Sequence, residues 1–389
     1  MDTIRVHRVW FVCLAACFLR LAAPDRALSA EKPDSGMARM DDAKFQDWLT
    51  RWSKNISNDA RNRYCDRELG EEIGWLIRPF LDGFYFGYMA TKDPKWGAML
   101  VDWTEAWVRR GVQEPDGYVG WPKPKAAGTL VDQLDDYKAD SLLGEAMALR
   151  PVVLLSGEIL KDPTLKAKYG PQAEKYLRLA EQVYEKWDRR GAWRETKDGG
   201  TIPVVLPFGI DAQTGKWTDG YEQRNAPGKG FSHPNNKANH VARWLLAMSD
   251  VTGRVVYRER AEKWFQVMKS RMKLKPNGTY EIWNYWQPAG LWDYKPDGSP
   301  KHWVGVHPNP GYYQIDVTGI VDAHRHGLVF TTAEIDHLIG TALAEKRHWD
   351  ALAPFSADIQ RKFEASHKPD GWGGLSTTPW YLMLQAQLR

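Results

Sequence analysis

The chain has 389 residues and a net charge of +4, far from the basic excess of a nucleic-acid binder. Of its 3 cysteines, Cys13 and Cys17 fall in the first thirty residues, which leaves Cys65 alone beyond them and excludes an intrachain disulfide there. A chain of this length can stand on a hydrophobic core without such staples, and its 20 Trp and 16 Tyr exceed ordinary usage.

Arg5 and Arg8 precede an apolar run from Val9 to Leu21 broken only by Arg20, and Ala27-Leu28-Ser29-Ala30 ends in small residues. That is the form of a secretory signal peptide, and the apolar run is too short to span a membrane. Leu14-Ala15-Ala16-Cys17 also resembles a lipobox, which would anchor the chain through a lipidated Cys17. Apolar residues continue past it to Leu21, which favours cleavage after Ala30 and a secreted or periplasmic protein. Residues 1–30 hold four arginines against two aspartates, so the mature chain carries +2. No other segment is long and apolar enough to cross a bilayer. No low-complexity linker divides residues 31–389, which read as one domain.

Apolar periodicity predicts helices over 41–54, 72–90, 94–111, 132–149, 151–161, 171–190, 235–252, 256–273, 312–326, 331–345 and 379–388. Pro151 divides the fourth from the fifth and suits a first helical turn. Thr331-Thr332-Ala333-Glu334 is a capping-box pattern. Short β-like runs occur at 202–208 and 280–286, outside any βαβ rhythm. The expected fold is all-α: an α/α toroid of helical hairpins with a few short strands in its loops. Asp116-Gly117-Tyr118-Val119-Gly120-Trp121 and Asp370-Gly371-Trp372-Gly373-Gly374 resemble each other as loops between hairpins.

The sharpest candidate site opens the helix at 235. Asn236, Asn239, His240 and Arg243 recur at i, i+3, i+4 and i+7, a polar stripe on an otherwise apolar helix. Capping or a solvated face would produce the same stripe. On the predicted helix 132–149, Asp136, Tyr137, Asp140, Ser141 and Glu145 share a face, with Glu145 set among Leu142, Leu143, Ala146 and Met147. A third segment, Tyr280 to Tyr294, is an aromatic loop without helical period. It offers Tyr285 and Tyr294 as phenols and Trp292 as a stacking surface. His307 precedes the helix at 312 and can reach a cleft. No zinc-binding cluster, EF-hand, phosphate loop, dinucleotide fingerprint or nucleophile elbow occurs, so no metal site and no cofactor is assigned, with calcium left open by the acidic loops.

Aromatic rings stack on the apolar faces of sugars, so this kit suits a polysaccharide. β-Elimination on a polyuronate needs hydrogen-bond donors that neutralise the carboxylate, a base for the C5 proton and an acid for the departing oxygen. Asn239-His240 on a helix, followed by Tyr294, resembles the Asn-His…Tyr arrangement of α/α-toroid alginate lyases. Within that group the chain looks similar to polysaccharide lyase family 38, whose members cleave glucuronan or alginate. The resemblance implies that Asn239 and Glu145 contact the carboxylate of an anionic polysaccharide, and that His240 and Tyr294 (or Tyr285) move protons. Asn236, Arg243, Tyr285, Trp292, His307 and Tyr137 would bind the chain. Such lyases often place an arginine before the tyrosine, and none lies between Arg271 and Arg325, so Arg243 would supply that charge. The alternatives are an inverting glycoside hydrolase on the same scaffold, with a carboxylate pair drawn from Asp136, Asp140, Glu145, Glu281 and Asp293, a uronate C5-epimerase, or a glycan-binding protein without activity.

Overall fold

Helix starts follow local chemistry. Asp93 and Asp162 each accept a backbone N–H at the head of α3 (Pro94–Val108) and α5 (Pro163–Arg189), with proline in the first turn. Asn309 does the same for α8 (Pro310–Arg325), and Asp41 for α1 (Asp42–Asp59). The expected capping box holds: Thr331 and Glu334 exchange hydrogen bonds at the head of α9 (Thr332–Ala344). The remaining helices are α2 (Arg78–Thr91), α4 (Leu142–Lys161), α6 (Asn235–Thr252), α7 (Val255–Ser270), α10 (Ala357–Ser366) and α11 (Gly374–Ala386). This computed structural model describes residues 36–67, 70–124 and 137–389, which lie in one compact unit. The expected signal peptide, with Cys17 and Ala30, lies outside the described residues, as does Asp136.

The arrangement is an α/α toroid. α11 packs on α2, α2 on α4, α4 on α6 and α6 on α8, forming the inner ring, and α1, α3, α5 and α7 back it from outside. A 3-10 turn, Asp350–Phe355, packs on α8 and is covered by α10. The inner helices α2, α4, α6 and α8 each pass to the next helix through a short connection: Lys92-Asp93, Asp162, Gly253-Arg254 and residues 326–331. The return connections are long: 109–141, 190–234, 271–309 and 345–373. The inner helices therefore run the same way and present their N-termini to the face that carries the long loops. Their unpaired N–H groups and dipoles favour electron-rich ligands on that face.

The strands lie in the long returns. β1 (Val112–Gln113) pairs with β2 (Val119–Gly120), and β9 (Lys273–Leu274) with β10 (Tyr280–Glu281). β4 (Tyr137–Ala139) lies between β3 (Lys123–Pro124) and β7 (Ile210–Asp211), and β6 (Thr201–Val205) between β5 (Trp193–Glu195) and β8 (Phe231–Ser232).

The structure corrects three local expectations. Tyr137 to Ala139 form a strand, and helix α4 begins only at Leu142, where the Ser141 hydroxyl caps Gly144 N–H. Pro151 does not divide two helices but sits inside α4. Proline within a helix costs about 3 kcal/mol; here Met147, Leu149, Val152, Val153 and Leu155 are all buried around it, and that packing outweighs the cost. Helix α10 was not among the expected helices, although Ile359 and Phe363, at i and i+4, form its buried face. As for the tryptophans, Trp52, Trp96, Trp103, Trp107, Trp244, Trp286 and Trp349 are fully buried. Most of the aromatic excess therefore fills the space between helix layers.

Candidate active site

The inner ring encloses an axial cavity of about 290 Å³, lined by α2, α6, α8, the 3-10 turn and the start of α11. Its floor is ionic. Arg78 Nη1 donates to Asp82 Oδ2 at 2.8 Å and Arg150 Nη1 to Asp82 Oδ1 at 3.4 Å. Arg243 Nε donates to Asp322 Oδ2 at 2.6 Å, and Arg150 lies 3.8 Å from the same oxygen. Burial works to raise the Asp322 pKa, but Arg243 and Arg150 outweigh it and hold the carboxyl below its usual range. Three arginines against two aspartates leave the floor with one excess positive charge.

His240 joins this wall from α6, edge-on to Trp75 with ring centroids 5.9 Å apart. Burial, reinforced by Arg78, Arg243 and Arg150, pushes its pKa well below the ordinary value, so the ring is neutral. Its Nε2 is buried and has no hydrogen-bond partner among the described residues, and the same holds for Asn236 Oδ1 and His233 Nδ1. Orphaned buried polar atoms are rare and call for a functional account. The cavity supplies one for His240.

Two acids line the cavity, Asp82 and Asp350. They differ in their company. Asp82 is ion-paired with two arginines. Asp350 has no arginine or lysine partner among the described residues. It accepts a hydrogen bond from Gln314 Nε2 at 2.9 Å, and burial pushes its pKa up against that bond and His348. Trp372, in the turn before α11, and Trp380, on that helix, both line the cavity. Trp372 is 45% exposed and braced edge-on by Phe80 and Tyr64.

The residues singled out in the sequence do not assemble into one site. Asn239 is fully buried and both ends of its amide are used: Nδ2 donates to Asp316 at 2.7 Å and Oδ1 accepts from Trp264 Nε1 at 2.8 Å. Gly319 makes room for it, since a β-carbon there would lie 2.9 Å from Asn239 Oδ1. Asn239 thus ties α6 to α7 and α8. Glu145 is buried away from the cavity, accepting from Lys186 Nζ at 2.7 Å and Trp187 Nε1 at 2.6 Å. Burial pushes it up to about 7 despite Lys186. Tyr137 is on β4, and Tyr294 is 39% exposed on a loop where it bridges to Pro300. Neither lines the cavity. Trp292 donates from Nε1 to Ser232 Oγ at 2.8 Å beside Arg194. Arg243 and His240 do line the cavity. Tyr285 and His307 pack on each other with ring centroids 4.9 Å apart and do not line the cavity. Of the acids proposed for a hydrolytic pair, Asp140 is bound by Lys186 and Arg190. Asp293 accepts from Ser232 and Ala289, and Glu281 is an exposed residue of β10.

Asp82, Arg78, Arg150 and Asp350 were missed. The first three are isolated charges in apolar helices, and charges at such positions are buried only with partners.

No protein-family model and no curated protein matches the chain. Among solved structures it is similar to the GH76A α-1,6-mannanase of Salegentibacter sp. HEL1_6, with 12% identity, 83% of this chain and 76% of that chain covered, and a TM-score of 0.38. An inactive variant of that enzyme in complex with α-1,6-mannotetrose gives 12% identity, 92% and 93% coverage and a TM-score of 0.40. These proteins are glycoside hydrolases. The expectation of a polysaccharide lyase of the alginate or glucuronan type is corrected at the site itself. The geometry supplies the physical reason: Asn239 has no free hydrogen-bonding end, and Glu145 and Tyr294 do not line the cavity beside His240.

No helix among the described residues is long and apolar enough to cross a membrane. Nor do those residues hold a group of three His, Cys, Asp or Glu side chains placed to bind a metal ion.

Proposed function

We propose that the chain is a glycoside hydrolase acting in the axial cavity. The observation that carries the reading is the contrast between the two acids lining it. Asp82 is ion-paired with two arginines, whereas Asp350 meets only the amide of Gln314 among the described residues. Asp350, whose carboxyl is pushed up by burial against His348 and Gln314, is the acid that gives its proton to the glycosidic oxygen. Asp82, held by Arg78 and Arg150, is the carboxylate that takes a proton from the attacking water. His240, neutral and with Nε2 unsatisfied, is placed to bond a sugar hydroxyl. Trp372 and Trp380 offer ring faces to the sugar. The excess positive charge of the floor favours a glycan that carries carboxylate or sulfate groups. Secretion through a leader cleaved after Ala30 would bring the enzyme to such a polymer, and N-terminal sequencing of the exported protein tests that cleavage.

The purified protein should release reducing ends from neutral or acidic polysaccharides, with inversion at the anomeric carbon visible by proton NMR. Products that absorb in the near ultraviolet as unsaturated uronates would overturn hydrolysis. Retention of configuration would make Asp82 a nucleophile instead of a base.

A further inference from the structure

We propose that Trp303, His307, Tyr312 and Tyr285 form a rail outside the axial cavity that binds the more distant units of a glycan chain. The proposal rests on the hydrolase reading and extends it from a cavity-sized ligand to a polymer.

The rail lies on the long return 271–309, on the face where the inner helices begin. Trp303 is 51% exposed, and its ring lies against Gly305, where a β-carbon would come within 2.4 Å of Cζ2. The Gly305 carbonyl accepts from Tyr285 N–H at 2.8 Å, which ties this support to the inner part of the row. The His307 ring centroid is 6.1 Å from that of Trp303 and 4.6 Å from that of Tyr312. Tyr312 stacks on Tyr285 with centroids 5.1 Å apart. Tyr312 belongs to the first turn of α8, whose Gly311 and Gln314 line the cavity, so the row runs from open surface to the cavity wall.

The chemistry along this row is that of sugar recognition. Asn309 N–H donates to His307 Nδ1 at 3.0 Å, which makes Nδ1 the acceptor and Nε2 the N–H donor of the ring. A donor among ring faces matches a pyranose, which offers an apolar C–H face and a rim of hydroxyl groups. Val304 and Val306 are 40% and 48% exposed beside it, and contiguous apolar surface on a long loop marks a binding surface. Continuity with the cavity selects the glycan as occupant over a protein.

Affinity electrophoresis through gels containing mannan, β-glucan, alginate or pectate tests binding without turnover. The wild-type chain should be slowed by a polysaccharide it cleaves, and Trp303→Ala should weaken that interaction about tenfold. The ratio of kcat/KM on polymer to kcat/KM on short oligosaccharide should fall by a similar factor. Gly305→Ala, which displaces the ring, should do the same. Unchanged retardation, or a loss equal on short and long substrates, would overturn the rail while leaving hydrolysis standing. Retardation without cleavage, abolished by Trp303→Ala, would sustain the rail and remove the hydrolase reading. Concentration-dependent dimerisation lost in Trp303→Ala would assign the patch to a second copy of the chain and overturn the rail.

Discussion

Arg78, Asp82, Arg150, Asp322 and Arg243 at the floor of the cavity form one buried ionic cluster. Glu114, Asp116, Asp140, Glu145, Lys186 and Arg190, behind the 109–141 return, form another. In the second, Lys186 Nζ meets Asp140 at 2.6 Å and Glu145 at 2.7 Å, and Arg190 reaches Glu114 at 2.7 Å and Asp116 at 2.8 Å. Gly120 is required there: a β-carbon would lie 2.3 Å from Glu114 Oε2. Four carboxyls face two cations. Burial and neighbouring Asp140 push Glu114 up, and burial pushes Glu145 up to about 7. This cluster fastens the strand-bearing return to α4 and α5. The floor cluster has the opposite imbalance, with cations in excess, and it faces open volume. Side chains of the same kinds serve as a bolt in one place and as a binding surface in the other. The sign of the surplus charge and access to the cavity separate the two.

That contrast can be broken most sharply at Asp350. Asp350→Asn should reduce turnover by roughly 10²–10⁴-fold, the scale of losing a general acid, with circular dichroism and melting unchanged; turnover within tenfold of wild type would remove Asp350 from the mechanism. Lys186→Met attacks the bolt instead. Removing one partner of a buried ionic cluster costs roughly 3–5 kcal/mol, so denaturant unfolding should shift strongly while the folded fraction keeps its turnover. A loss of turnover without a loss of stability would move the active site to the return loop.

The third test concerns Asp316, which burial pushes up to about 7 against the hydrogen bonds from Trp283 and Asn239. Its folded pKa lies above the unfolded one, so the native state binds the extra proton between about pH 4 and 7, and its contribution to stability is present in acid and lost as pH rises through that window. Asp316→Asn should therefore gain on wild type by roughly 1.4 kcal/mol per pH unit across the window. A constant difference would show that Asp316 does not titrate there. The smallest effect is expected for Glu145→Gln, which mimics the protonated acid: a stability change of about 1 kcal/mol or less and normal turnover. A large loss of turnover would restore Glu145 to the active site.

Helical periodicity, proline-first starts and capping residues determine most of the helices from the sequence alone. Helix α6 spans the predicted 235–252, and the capping box at Thr331 behaves as read, because both depend on interactions within a few residues. His240 and Arg243 were legible as polar residues on one face of an apolar helix, and both line the cavity. Tertiary structure alone decided the rest. Asn239 shares that stripe, yet it turns between α7 and α8 to meet Trp264 and Asp316, which lie 25 and 77 residues away in sequence. Asp82 and Asp350 come from opposite ends of the chain and reach one cavity only because the ring of inner helices closes. Local periodicity sets which face of a helix is polar. Which polar side chains meet an open volume, and which meet a buried counter-charge, depends on long-range packing that no local pattern encodes.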